Sequence, residues 1–297
     1  MSRGTNRTIG SPLAVEGDPD GLAGLAAQAD EVRALVLRSV AAARAGHIGG
    51  PLSVADLLVA LYFSILRVRP DEPAWPDRDR VVLSKGHSAI ALYATLARRG
   101  YFPIEELDTF DQLESRLQGH PDMTLLPGLD MSTGSLGMGL SAGVGMAIGA
   151  RLRAGPERIY VILGDGECQE GAVWEAAFVA ARYGLDNLCA IVDVNSLQQY
   201  GWAAEAPLAR QPPWPSGALR RQWRGFGWRV LETDGHDMGR IMATLRAAQK
   251  VKSRPVVVLA HTIKGKGVSF MEGRYEWHAR VPTPDELAAG LGELHVD

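Results

Sequence analysis

The sequence predicts an α/β fold, a mainly parallel β-sheet with helices on both faces. Three observations predict it. Short apolar runs of strand length recur at residues 80–83, 159–163, 188–194, 228–232 and 255–260. Stretches with helical spacing of apolar residues separate most of them, and strands alternating with helices build parallel sheets buried on both sides. Two of the runs also end in residues suited to ligands, Gly164-Asp165-Gly166 and Asn195. In open α/β sheets, ligands bind outside the carboxyl ends of the strands.

The elements follow in order. Residues 1–20 are rich in Gly, Pro, Ser and Asp, so residues 1–24 are expected to form a flexible arm before a single domain, 25–297. Residues 30–45 place Val32, Leu35, Val36 and Val40 at helical spacing and stop at Gly46. Pro51 opens a second helix, with Ser53 expected as the cap of a stretch reaching 66. Residues 67–79 contain three prolines and read as a surface loop. The strand 80–83 runs into Ser84-Lys85-Gly86-His87 and a helix over 88–99. The pattern between 101 and 127 is mixed. Ser132 to Gly139 is a glycine-rich turn leading into a helix of small residues, 138–153. Such a turn can offer backbone N–H groups to an anion. Equally, Gly139, Gly143 and Gly149 can serve close helix packing, and the pattern leaves both readings open. Helices are further expected from Gly171, over 238–251 and over 284–291.

Bulk properties narrow the function classes. A chain of 297 residues, 46% hydrophobic and 22% charged, can bury a large core. The net charge of −3, with no long basic cluster, argues against a nucleic-acid partner. Two cysteines, Cys168 and Cys189, are too few for a disulfide framework or a zinc site. Cys168 reads as a buried neutral thiol. The polar N-terminus lacks a signal-peptide core, and no apolar run is long enough to span a membrane. The expected location is the cytoplasm.

The chemistry concentrates around Asp165 and Asn195. A hard cation such as Mg2+ takes oxygen ligands from carboxylate, amide, backbone carbonyl, water and phosphate. Asp165, the Asn195 amide oxygen and the Leu197 carbonyl can supply the protein's share, while Gly164 and Gly166 let the backbone approach phosphates closely. The plainer alternative is a tight strand-to-helix turn and an Asn turn residue. His47, His87, His120, His236 and His278 sit in loop-like or element-terminal positions. Several imidazoles lining one cleft would suit a polar phosphorylated substrate, but their positions along the chain do not show that they meet.

In order, Gly46-His-Ile-Gly-Gly50, Leu83-Ser-Lys-Gly-His87, Gly119-His-Pro-Asp122, Thr133-Gly-Ser-Leu-Gly-Met-Gly139, Gly164-Asp-Gly-Glu-Cys-Gln-Glu-Gly171, Val194-Asn195, Thr262-Ile-Lys-Gly-Lys-Gly267 and Glu276-Trp-His278 resemble transketolase. More narrowly, the chain is similar to the N-terminal subunit of a split transketolase, over roughly residues 25–295. The resemblance implies a thiamine diphosphate-binding domain of the kind that holds the diphosphate. Asp165, Asn195 and the Leu197 backbone would hold Mg2+, for which Ca2+ or Mn2+ can substitute. His87 and His278 would contact the diphosphate or the reacting substrate, and Leu136 and Gly137 would lie near the middle and aminopyrimidine of the cofactor. His47 and His120 would face substrate hydroxyls. Glu170 would join a carboxylate network linking paired active sites. Lys264 and Lys266 would belong to a loop closing over phosphate.

The family's pyrimidine-binding domain and catalytic glutamate have no counterpart before Asp297. The resemblance therefore implies a separate C-terminal transketolase subunit, in an α2β2 heterotetramer with active sites between unlike chains. The implied reaction moves a two-carbon ketol unit from a ketose, often phosphorylated, to an aldose. Alternatives are a non-catalytic or regulatory cofactor-binding paralogue, a deoxyxylulose-phosphate synthase-like role and a 2-oxo acid dehydrogenase α-like subunit. Two departures stand out: Ala279 follows His278 where the family more often has Gly, and Leu197-Gln-Gln-Tyr200 is an unusual continuation after Asn195.

Overall fold

The computed structural model describes residues 19–199, 217–294 and 296. The expected N-terminal arm, up to residue 18, and Tyr200 lie outside the described residues. Five strands form one sheet, β1 (Arg80–Leu83), β2 (Ile159–Gly164), β3 (Leu188–Val194), β4 (Arg229–Asp234) and β5 (Val256–His261), in the order β1-β2-β3-β5-β4. Every neighbouring pair is parallel, so all five carboxyl ends emerge along one edge.

Side chains alternate along each strand and pack two separate cores. Tyr160, Ile162, Cys189, Ile191, Val256 and Val258 face a layer made by α1 (Pro19–Ala43), α2 (Gly49–Ala60), α3 (Ala89–Arg99) and α7 (Met238–Lys250). Val161, Leu163, Ala190, Val192 and Val257 face the opposite layer of α4 (Met138–Leu152), α5 (Gly171–Arg182) and α6 (Ala218–Gly225). This is why the strands read as continuous apolar runs rather than as alternating patterns. The closing helix α8 (Pro284–Glu293) starts with a capping box between Thr283 and Glu286.

Three expectations change. α1 begins at Pro19, well before residue 30. α2 begins at Gly49, and every one of its residues is buried. Ser53 therefore lies inside the helix, and its hydroxyl donates to the Gly50 carbonyl and to Asp193 instead of capping. A helix buried all round shows no polar face, which hid its start from a periodicity reading. The helix continues as a π-helical turn, Leu61–Ile65. Of the α4 glycines, Gly139 and Gly143 serve packing, whereas a Cβ at Gly149 would meet only the end of the Arg153 side chain, at 3.5 Å. A Cβ at Gly143 would stand 2.4 Å from the Val161 side chain, and one at Gly139 would meet Ser84 at the same distance. α4 thus lies directly on β1 and β2.

Candidate functional site

The site forms where β1, β2, β3 and β5 end side by side. Asp165 follows β2 and is 4% exposed. Its Oδ1 accepts the Gly166 N–H at 2.9 Å and its Oδ2 the Ser196 N–H at 2.7 Å. Ser196 takes the left-handed conformation, with φ 62°, turning the chain after β3 back over Asp165. The Asn195 Nδ2 donates to Asp193 at 3.1 Å, and its Oδ1 accepts the Leu197 N–H at 3.1 Å. An ionised carboxylate only accepts, so this contact fixes which end of the amide is nitrogen. Burial, then the neighbouring Asp193, push the Asp165 carboxyl up to about 6. A buried carboxylate so raised is one a cation would relieve.

Beneath this corner lies a polar network that the sequence pattern alone did not assign. Asp193 is fully buried and accepts from the Lys85 ammonium at 2.5 Å, from Ser53 at 2.7 Å and from the Thr262 hydroxyl. Burial alone would raise the Asp193 carboxyl, but Lys85 and the hydroxyls outweigh it and hold it below the usual range. Glu167, also buried, accepts the Gly137 N–H at 2.9 Å, the Gly164 N–H at 3.1 Å and the Ser84 hydroxyl. It ties the ends of β1 and β2 to the start of α4. A signal for Asp193 was present: it is the one charge inside the apolar run 188–194. Lys85 lies within the motif Leu83-Ser-Lys-Gly-His87.

Above the corner, four of the expected histidines converge. The His47 ring centroid lies 5.2 Å from His87, 5.9 Å from His120 and 5.1 Å from His278, and His87 and His278 are 5.2 Å apart. Burial, then Lys264, His47 and Lys85, push His278 down to about 3. Burial and Lys85 hold His87 well below the ordinary imidazole value, and burial and His120 lower His47. These three imidazoles are therefore neutral near pH 7 and can accept as well as donate. His120 is exposed, at the outer margin.

Lys264 is buried, not on an exposed lid. Its ammonium donates to the Gln198 carbonyl at 2.8 Å and contacts His278 Nδ1 at 2.8 Å. Burial and repulsion from Lys85 lower it to about 8. Lys266 instead pairs with Glu272 at 3.2 Å.

A cavity of about 380 Å³ opens between corner and histidines, lined by Asp165, Asn195, Leu197, His47, His87, His278 and Lys264. Leu136, Gly164, Gly166 and Glu170 also line it. Gly164 is open towards it: a Cβ there would have no neighbour nearer than 3.8 Å. Gly137 lies buried behind Glu170, with φ 86°, where a Cβ would meet the Glu170 Cβ at 2.7 Å. His236 stands apart, bonded to Asp56 at 2.8 Å. Cys168 is fully buried, and burial pushes its thiol well up, so it is an inert packing residue.

The corner fits a hard cation shared with phosphate oxygens better than an all-protein cage. Among the described residues, no three His, Cys, Asp or Glu side chains group around a metal position. One carboxylate, one amide oxygen and nearby carbonyls leave most of an octahedron to ligand and water. Lysine and neutral imidazoles beside it suit the anionic part of such a ligand. A parallel α/β domain with this edge is a binding domain for a diphosphate-bearing cofactor.

The chain belongs to the transketolase family. Residues 25–290 match the family model described as transketolase, thiamine diphosphate binding domain. A 6-deoxy-6-sulfo-D-fructose transketolase subunit, SqwG, from Clostridium sp. (strain MSTE9) is 44% identical over 91% of this chain and 96% of its own length. An apulose-4-phosphate transketolase subunit from Phocaeicola vulgatus is 43% identical, covering 90% and 92% of the two chains. Transketolase from Campylobacter jejuni superposes with a TM-score of 0.83 at 32% identity. That match spans 92% of this chain but 43% of the solved one, so the chain corresponds to under half of such a transketolase. Among the described residues, no helix is long and apolar enough to cross a membrane.

Proposed function

We propose that this chain is the cofactor-anchoring N-terminal subunit of a two-component transketolase. In this reading a ketol unit of two carbons passes from a ketose, often phosphorylated, to an aldose, with a separate subunit completing each active site in an α2β2 assembly. The observation carrying it is the meeting of Asp165 and Asn195 with His47, His87, His278 and Lys264 around one cavity. The near-complete coverage of relatives that are themselves named as subunits supports the two-component arrangement.

Asp165, the Asn195 amide oxygen and the Leu197 carbonyl would hold Mg2+. Gly164 and Gly166 would admit the diphosphate against the strand end, and Lys264 would offset its charge. When bound, thiamine diphosphate supplies an electron sink that lets a carbon–carbon bond beside a ketol break and re-form. The chain's own residues then bind and orient sugar. His87 and His278, held neutral, can pass or hold a proton at a substrate oxygen without adding a fixed charge. His47 and, further out, His120 would grip hydroxyls. Glu170, exposed on the cavity rim, would meet the second active site's network across a subunit boundary. The same proposal takes the described chain as one domain that includes α1 from Pro19, so residues 19–24 belong to the domain and not to an arm.

The test is reconstitution. The chain is affinity-purified from its native cells with thiamine diphosphate and Mg2+, and the eluate is assayed for ketol transfer from xylulose 5-phosphate to ribose 5-phosphate. A co-purifying second subunit whose removal abolishes transfer is the expected result. Ketol transfer by the chain alone would overturn the two-component reading, and absence of cofactor binding with the partner present would overturn the function.

A further inference from the structure

Lys264 is carried on the segment after β5, which three backbone N–H groups fasten to the rest of the molecule. Thr262 N–H donates to the Val194 carbonyl at 3.1 Å and Gly265 N–H to the Gly49 carbonyl at 2.9 Å. The middle one, Ile263 N–H, donates to a side chain, His236 Nε2, at 2.8 Å. His236 sits in the turn between β4 and α7. That turn packs tightly on the end of β5: Gly235 N–H donates to the His261 carbonyl at 2.7 Å, and a Cβ at Gly235 would stand 2.4 Å from the Thr262 methyl.

The other ring nitrogen, Nδ1, lies 2.8 Å from Asp56 Oδ2 on α2. Asp56 is buried and also bonded to the Arg33 guanidinium from α1. Arg33 is itself fixed, its Nε donating to the Leu52 carbonyl at 3.2 Å and its Nη1 to Asp30 at 2.8 Å. A backbone N–H can only donate, so Nε2 must present its lone pair to Ile263. The proton of the neutral ring is then on Nδ1 and donates to Asp56. Contacts on both sides select one tautomer, as a carboxylate bonded to the far nitrogen of a metal-bound histidine does.

We propose that His236 is a positioning residue: its neutral, Nδ1-protonated ring, oriented by Asp56 and Arg33, holds the Ile263 amide and so sets where the Lys264 ammonium stands against His278. Its consequence for cofactor binding rests on the reading of Lys264 as a partner of the anionic cofactor. His236 touches neither cavity nor ligand. It acts through one backbone bond.

The test uses the full chain with His236→Phe and His236→Gln. Phenylalanine keeps a ring of similar size and removes both bonds, whereas the glutamine amide oxygen can replace Nε2 as acceptor. Amide hydrogen exchange, the nitrogen NMR spectrum of the imidazole, and affinity for thiamine diphosphate with Mg2+ are measured. The expected spectrum shows Nδ1 protonated and Nε2 bare. In the Phe variant, exchange at Ile263 should quicken and cofactor affinity fall, each by about tenfold, the lower end of what an outer-shell partner contributes. Core amides of β3 should keep their protection. The Gln variant should stay within about threefold of the parent, as rescue by a conserved acceptor requires. Unchanged exchange at Ile263 in the Phe variant, a protonated Nε2 in the parent, or equal losses in both variants would overturn the proposal. If the parent chain binds no thiamine diphosphate, the functional reading fails, while exchange and the imidazole spectrum still decide the role of His236.

Discussion

The two sides of the cavity differ in what burial does to their charges. On the strand-end side, Asp165 is an acid pushed up, to about 6. On the loop side, Lys264 and His278 are bases pushed down, to about 8 and about 3. Both shifts have burial as their first cause, and they teach the same lesson about unlike groups. Each side holds groups whose charge burial in the fold opposes, and each is relieved by a ligand of opposite sign. The strand ends call for a cation and the loops for an anion. A metal-bound diphosphate supplies both in one molecule. The strand-end side is held by backbone N–H groups on Asp165 and Asn195 and by the Asp193 network, the loop side by backbone bonds from Thr262 and Gly265 together with side-chain contacts.

The largest effect expected from breaking this contrast is on the strand-end side. Asp165→Ala should weaken Mg2+-dependent binding of thiamine diphosphate by more than about a hundredfold, since loss of a ligand exceeds the usual loss of an outer-shell partner. Thermal melting of the cofactor-free chain should not fall, because an ionised carboxylate that the fold disfavours has been removed. Titration calorimetry and melting curves check both halves. Retained Mg2+-dependent affinity would count against the assignment.

Next comes the support beneath. Asp193→Ala leaves Lys85 buried without its carboxylate and should destabilise the fold by about 3–5 kcal/mol, read from denaturant melts. A loss below about 1 kcal/mol would show that the pair does not hold the strand ends together.

The smallest effect sharpens the loop side. Lys264 releases its proton more readily folded than unfolded, so its charge opposes folding below about pH 8. That cost fades as pH rises from about 8 towards the ordinary lysine value. Lys264→Met should therefore stabilise the cofactor-free chain by about 1–3 kcal/mol at pH 7, with the gain shrinking by pH 10. The same variant should bind thiamine diphosphate more weakly. A pH-independent change in stability would contradict the account of Lys264.

Much of the fold was legible because the strands are short apolar runs that end in glycine or polar residues. β1 and β3 fall where those runs do, and β2 extends one residue further, to Gly164. α6 went unread: its eight residues bury only Leu219 and Trp223 amid arginines, too brief for a periodic signal. The site was legible where its chemistry is contiguous, as in Gly164-Asp165-Gly166. Lys85 and Asp193 lie 108 positions apart, and nothing local joins them before the sheet sets β1, β2 and β3 side by side. His236 was noticed as a loop histidine, but its partners come from α2 and from the segment after β5. Such a meeting is a property of the topology and of no single stretch of chain.

The most direct test of the central claim is diffraction from crystals grown with thiamine diphosphate and Mn2+, locating the metal by its anomalous signal. The account predicts a single peak at the ends of β2 and β3, within coordination distance of an Asp165 carboxylate oxygen, the Asn195 amide oxygen and the Leu197 carbonyl, with the diphosphate completing the shell. A metal placed elsewhere, or a cofactor bound with no metal at that corner, would contradict it.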